Sequence, residues 1–142
     1  MIQPFEGYAK RLPDGRCMAY PDPGTNGAPW TIGWGTAGVS QDAVWSKEQA
    51  DDALFVEAAS KAAGLLSLSP CLAQASDTRC AALISFAYNC GLGNYRISTL
   101  RRRVNHGDWS GAAKEIIKWN KAAGRMLPGL TRRRCAEAAM LK

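Results

Sequence analysis

Only one stretch of this chain reads as β structure, and everything after it reads as helix. Within residues 11–38, "LPDGR" carries Pro, Asp and Gly in turn order. "CMAY" and "WTIGW" are aromatic, branched and β-prone. Between them lies "PDPGTNGAP", which is turn chemistry throughout and includes Asn26-Gly27. This spacing predicts a small hairpin or three-stranded sheet. Residues 1–10 allow only a short helix, with Pro4 near its start.

From residue 46 onward the pattern is helical. Ser46 and Gln49 have capping-box spacing, and Leu54, Ala58, Ala62 and Leu65 recur at helical intervals behind them. Ser76 and Gly91 bracket a second helix, and Ser98 and Gly107 a third. Ala112, Ile116 and Trp119 mark one face of a fourth, and Pro128 opens a fifth. Connections are short, and there is no repeat or linker. The expectation is an α+β fold in a single domain, 1–142, with a β lobe over about 11–38 and a helical lobe over about 46–142.

With 46% hydrophobic residues the chain can build a core, and 18 Lys and Arg against 12 Asp and Glu leave a net charge of +6. That balance favours an anionic partner: nucleic acid, an anionic membrane surface or an anionic cell-wall polymer. The two triple-Arg runs, 101–103 and 132–134, lack the helix-turn-helix spacing, stacking platform or zinc motif of a nucleic-acid module. They read as solvated helix faces. No apolar run approaches the roughly 18 residues that a membrane-spanning helix needs. "MIQPFEGYAK" has neither the basic start nor the apolar block of a secretory signal.

The five cysteines, Cys17, Cys71, Cys80, Cys90 and Cys135, form no CxxC pair, and His106 is the sole histidine. A metal site is not expected. Cys80 and Cys90 read as small core residues. A Cys71–Cys80 disulfide is open if the chain matures outside the cytoplasm. His106 reads as structural.

Most carboxylates sit where a solvated face, cap or turn explains them. Glu48, Asp51, Asp52 and Glu57 pattern as the surface of one helix, Asp77 and Asp108 as helix-start residues, and Glu115 and Glu137 as partners for nearby basic residues. Glu6 and Asp22 stand apart. Glu6 lies between Phe5 and Gly7 with Tyr8 following, and an acid against an aromatic wall suits general acid work. Asp22 is stiffened between Pro21 and Pro23. Thr31, placed at the start of the second strand, would stand near it across the hairpin. A carboxylate beside a hydroxyl can hold one water.

The blocks Glu6-Gly7, Tyr20-Pro21-Asp22 and Thr31-Ile32-Gly33-Trp34-Gly35 resemble the start of phage-type lysozymes, glycoside hydrolase family 24. The "SFAYN.G" helix, the "STL" helix start and the "LPGL..RR..E" ending are similar to the family's C-terminal half. The resemblance covers nearly the whole chain in order. It implies a lysozyme-like fold and hydrolysis of the β-1,4 bond between N-acetylmuramic acid and N-acetylglucosamine in peptidoglycan, lysing the host cell for phage release. It implies a Glu6, Asp22 and Thr31 triad acting with inversion, without cofactor or metal. Asn89 is expected to hydrogen-bond a sugar amide. Arg133, from the second basic run, is expected near the acid, where it would oppose the desolvation of Glu6. The remaining basic surface would attract the anionic wall.

Many family members carry His after the Gly-x-Gly, where this chain has Thr36. The alternatives are a lytic transglycosylase and a noncatalytic peptidoglycan-binding relative. The expected protein is a monomer without nucleic-acid partner or stable membrane insertion. It would accumulate in the host cytoplasm and reach the periplasmic wall after holin-dependent release. Loss of an N-terminal export segment would leave periplasmic delivery equally open.

Overall fold

The capping box forms as its spacing predicts. In the computed structural model, which describes residues 2–22 and 26–142, the Ser46 amide donates to Gln49 Oε1 at 2.8 Å and the Gln49 amide to Ser46 Oγ at 3.2 Å. These two bonds satisfy donors that a helix start leaves open, and helix α2 runs from there over Lys47–Leu68. The chain divides into two compact units inside α2, Ile2–Glu57 and Ala58–Lys142.

The first unit holds a one-turn helix α1 (Gln3–Glu6) and five short strands: β1 (Cys17–Met18), β2 (Tyr20–Asp22), β3 (Gly27–Ile32), β4 (Thr36–Val39) and β5 (Val44–Trp45). Strands β2, β3 and β4 form an antiparallel sheet in that order, and β1 pairs with β5. β structure therefore extends beyond residue 38. Cys17, Ala19, Ile32 and Ala50 form its buried centre. Gly33 has φ +60, and a Cβ there would stand 2.8 Å from that of Ala50. The β3–β4 turn thus lies directly on α2 at a point that only glycine fills without strain.

The second unit is helical: α3 (Asp77–Cys90), α4 (Leu92–Ile97), α5 (Thr99–Asn105), α6 (Trp109–Ile117) and α7 (Pro128–Leu141). Ser76, Ser98 and Asp108 cap α3, α5 and α6 through the Arg79, Arg101 and Gly111 amides. Leu83, Phe86, Tyr95, Leu100, Val104 and Ile116 are fully buried in its core. Phe86 meets Trp119 edge to face at 5.4 Å. Among the features not expected are α4 itself, and a hairpin of β6 (Lys121–Ala122) with β7 (Arg125–Met126). Both are too short to leave a periodic signal.

All five cysteines are free. Cys71 donates to the Val104 carbonyl and Cys80 to the Leu72 carbonyl, each at 3.5 Å, so the Cys71–Cys80 bridge is not formed. His106 Nδ1 lies 2.7 Å from the Arg102 carbonyl at the end of α5, which is a structural, helix-ending role. Among the described residues no helix is long and apolar enough to cross a membrane.

Candidate functional site

Helix α1 exists because Pro4 tolerates only a first turn, and it stops because Gly7 takes φ +70. The result places Glu6, half-buried, at the last helical position. Gly35 has φ +103, and Glu6 Oε2 lies 3.5 Å from where its Cβ would stand. The carboxylate of Glu6 is therefore seated against the glycine that ends the Thr31-Ile32-Gly33-Trp34-Gly35 segment. Any side chain at position 35 would strain the backbone there and touch the carboxylate.

Thr31 is half-buried and pairs with Tyr20 on one side and Ala37 on the other. It lies near the end of β3 rather than at its start, because β3 begins at Gly27. Asp22 pairs through its backbone with Gly27, after an irregularity between Pro21 and Asp22. Its side chain, and residues 23–25, lie outside the described residues. The hairpin thus sets Thr31 opposite Tyr20, two residues from Asp22 along β2. Glu6 meets this part of the chain at Gly35, the fourth residue after Thr31.

Trp34, between the two glycines, stacks obliquely on Tyr8 with ring centroids 5.0 Å apart. Its indole N–H donates to Asp51 Oδ1 at 2.7 Å. Asp51 Oδ1 also accepts from Gln3 Nε2 at 3.1 Å, and Oδ2 pairs with Lys47. The Lys47 ammonium, then the Trp34 N–H, hold the Asp51 carboxyl below the usual carboxylate range. Burial pushes the Tyr8 hydroxyl up to about 12, with Cys17 adding to the effect, so Tyr8 stays protonated at neutral pH. Asp51 had patterned as plain surface charge. Beyond Lys47, its partners Gln3 and Trp34 lie 48 and 17 residues away, and no local signal marks those two contacts. A cavity of about 320 Å³ beside Tyr8 and Trp34 is lined also by Arg11, Lys47 and Glu48, but by neither Glu6 nor Thr31.

Thr36 occupies the position after Gly35. Its Oγ1 is buried without a hydrogen-bond partner. An unpaired buried hydroxyl costs stability. Thr36→Val keeps the shape and removes the polar atom, so it is expected to leave stability unchanged or raise it by up to about 1 kcal/mol in urea unfolding. A clear loss of stability would show that the hydroxyl is satisfied.

The second unit carries the other two expected site residues. Asn89 is exposed on α3. Arg133 is only 3% exposed, so it does not share the solvated face read for the basic runs as a whole. Arg133 Nε donates to Glu137 Oε1 at 3.2 Å, and its Nη2 to the Ser85 carbonyl at 3.0 Å. Ser85 Oγ donates to the same Glu137 oxygen at 2.6 Å. Among the described residues no cluster of three or more His, Cys, Asp or Glu side chains is placed to hold a metal ion.

A sequence model of the phage lysozyme family matches residues 5–137. The endolysin of Bacillus phage PZA is 39% identical over 119 residues, covering 78% of this chain. The chain spans only 43% of that relative's length. The endolysin of Acyrthosiphon pisum secondary endosymbiont phage 1 is 35% identical, covering 100% of this chain and 92% of that protein. Among solved structures, the muramidase domain of SpmX from Asticaccaulis excentricus superimposes with a TM-score of 0.76 at 28% identity, covering 99% of this chain and 90% of that one.

Proposed function

The chain belongs to the phage lysozyme family, and from that premise we propose that it is a muramidase. Its substrate is peptidoglycan, and the bond cleaved is the β-1,4 link between N-acetylmuramic acid and N-acetylglucosamine. The observation that carries this reading is the seat of Glu6 Oε2 against Gly35, in the segment that begins with Thr31. In the proposed reaction Glu6 gives its proton to the glycosidic oxygen as the C1–O bond breaks. A water oriented by Thr31 and Asp22 bonds to C1 from the opposite face, and Asp22 takes the proton it releases. Two carboxyls on opposite faces of the sugar, with a water between, give inversion.

Asn89 is the proposed amide contact to the glycan. Arg133 is a proposed binding-site residue, its guanidinium orientation set by Glu137 and Ser85. Biologically, the proposal is an endolysin that acts as a monomer on the cell wall to release phage, reaching it after holin-dependent release. Digested peptidoglycan examined by mass spectrometry tests the reaction. Reducing muramic acid ends are expected, and 1,6-anhydro ends would assign a lytic transglycosylase instead.

A further inference from the structure

Asp51 sits outside the proposed triad, yet it is the point where the two segments bearing Glu6 and Gly35 are tied together. Its Oδ1 takes hydrogen bonds from Gln3, the first residue of α1, and from the Trp34 indole. Glu6 is the last residue of that same four-residue helix. Trp34 immediately precedes Gly35, against which Glu6 Oε2 is seated. One carboxylate oxygen therefore closes a ring: Asp51 to α1 to Glu6, and Asp51 to Trp34 to Gly35. Next to it, Ala50 packs on Gly33, and the Ser46–Gln49 capping box fixes the start of α2. The other carboxylate oxygen pairs with Lys47, so the two tasks are divided between Oδ1 and Oδ2.

A four-residue helix has no stability of its own, since ordering a first turn costs more than its few hydrogen bonds return. Its position must come from tertiary contacts, and Gln3–Asp51 supplies one. We infer that Asp51 is a positioning residue for the proposed general acid, holding α1 and the β3–β4 turn in the register that seats Glu6 on Gly35. This rests on the muramidase reading above. A shift of about 1 Å in a reacting group can cost up to about 100-fold in rate. Asp51 touches no reacting atom, so its effect belongs in kcat more than in KM.

The test uses the full chain on purified peptidoglycan, with circular dichroism on each variant. Asp51→Ala is expected to lower kcat about tenfold with KM within about twofold. Asp51→Asn keeps an oxygen acceptor for Gln3 and Trp34, and Lys47→Met removes only the ion pair. Both are expected within about twofold of the wild-type kcat. If Asp51→Ala does not fold, Trp34→Phe decides the question, because it removes the N–H and keeps a smaller aromatic ring against Tyr8. A lower kcat supports the role, and wild-type kcat overturns it. Wild-type kcat in a folded Asp51→Ala, or an Asp51→Asn as impaired as Asp51→Ala, also overturns it. Glu6→Gln run in parallel separates the two ideas. An active Glu6→Gln removes the acid assignment itself, whereas an inactive one beside a fully active Asp51→Ala removes only the role of Asp51.

Discussion

Glu6→Gln is expected to abolish clearing of outer-membrane-permeabilised Gram-negative cells while the protein stays folded. The substitution keeps the side chain's size and its place against Gly35. What it removes is the proton that the leaving glycosidic oxygen requires. Positioned general acids contribute about 10²- to 10⁴-fold, so turnover should fall by about 10³-fold, or about 4 kcal/mol in the barrier. Turbidity clearing measures the rate, and circular dichroism checks the fold. Glycan binding should survive, because the amide still fits where the carboxyl stood. Normal lysis by Glu6→Gln would show that another group supplies the proton. A loss of both lysis and fold would show that Glu6 is structural.

What the sequence made legible was local. Ser46 with Gln49, Ser98 and Asp108 each cap a helix through bonds that span three residues. The β lobe was legible because turn residues and β-prone residues alternate within a short span, although β5 at Val44–Trp45 lay beyond it. Asp51 was not legible. In sequence it is one of four acids on a helix, and only folding brings Gln3 and Trp34 to it. The burial of Arg133 and Arg134 was not legible for a related reason. Three arginines in a row look solvated, but α7 lies against α3, so two of the three are buried while Arg132 stays exposed. The Glu6–Gly35 approach was half legible: the family pattern marked both residues, and neither periodicity nor spacing showed that they meet.

The burial of those arginines makes Glu137 the residue whose loss should cost the second unit most. Glu137 and Arg134 are fully buried. Glu137 Oε1 accepts from Ser85 Oγ, Arg133 Nε and Arg134 Nη2 at 2.6, 3.2 and 3.0 Å. Arg134 Nε lies 2.8 Å from Oε2, at an angle that makes an ion pair rather than a hydrogen bond. Arg134 is held further by Cys90 Sγ at 2.9 Å and by the face of Phe86 at 5.1 Å. Burial is the largest influence and holds the Glu137 carboxyl above its ordinary value, against the opposing pull of Arg134, the Ser85 hydroxyl and Arg133. With two guanidinium groups within 3.2 Å, the ionised form is the one this cluster holds.

Glu137→Gln would take from fully buried Arg134 the carboxylate that its Nε and Nη2 face, and would remove one carboxylate contact of Arg133. Breaking one side of a buried ion pair costs about 3–5 kcal/mol, far more than the intact pair gains over an apolar substitute. The expected result is a loss of about 3 kcal/mol or more in denaturant unfolding, at unchanged slope. The exposed Asp14–Arg16 pair gives the contrast, and Asp14→Asn should produce no resolvable change. If Glu137→Gln proves as mild as Asp14→Asn, water reaches the arginines. Arg133 would then be solvated in the native state, and the orientation assigned to it from Glu137 and Ser85 would no longer hold.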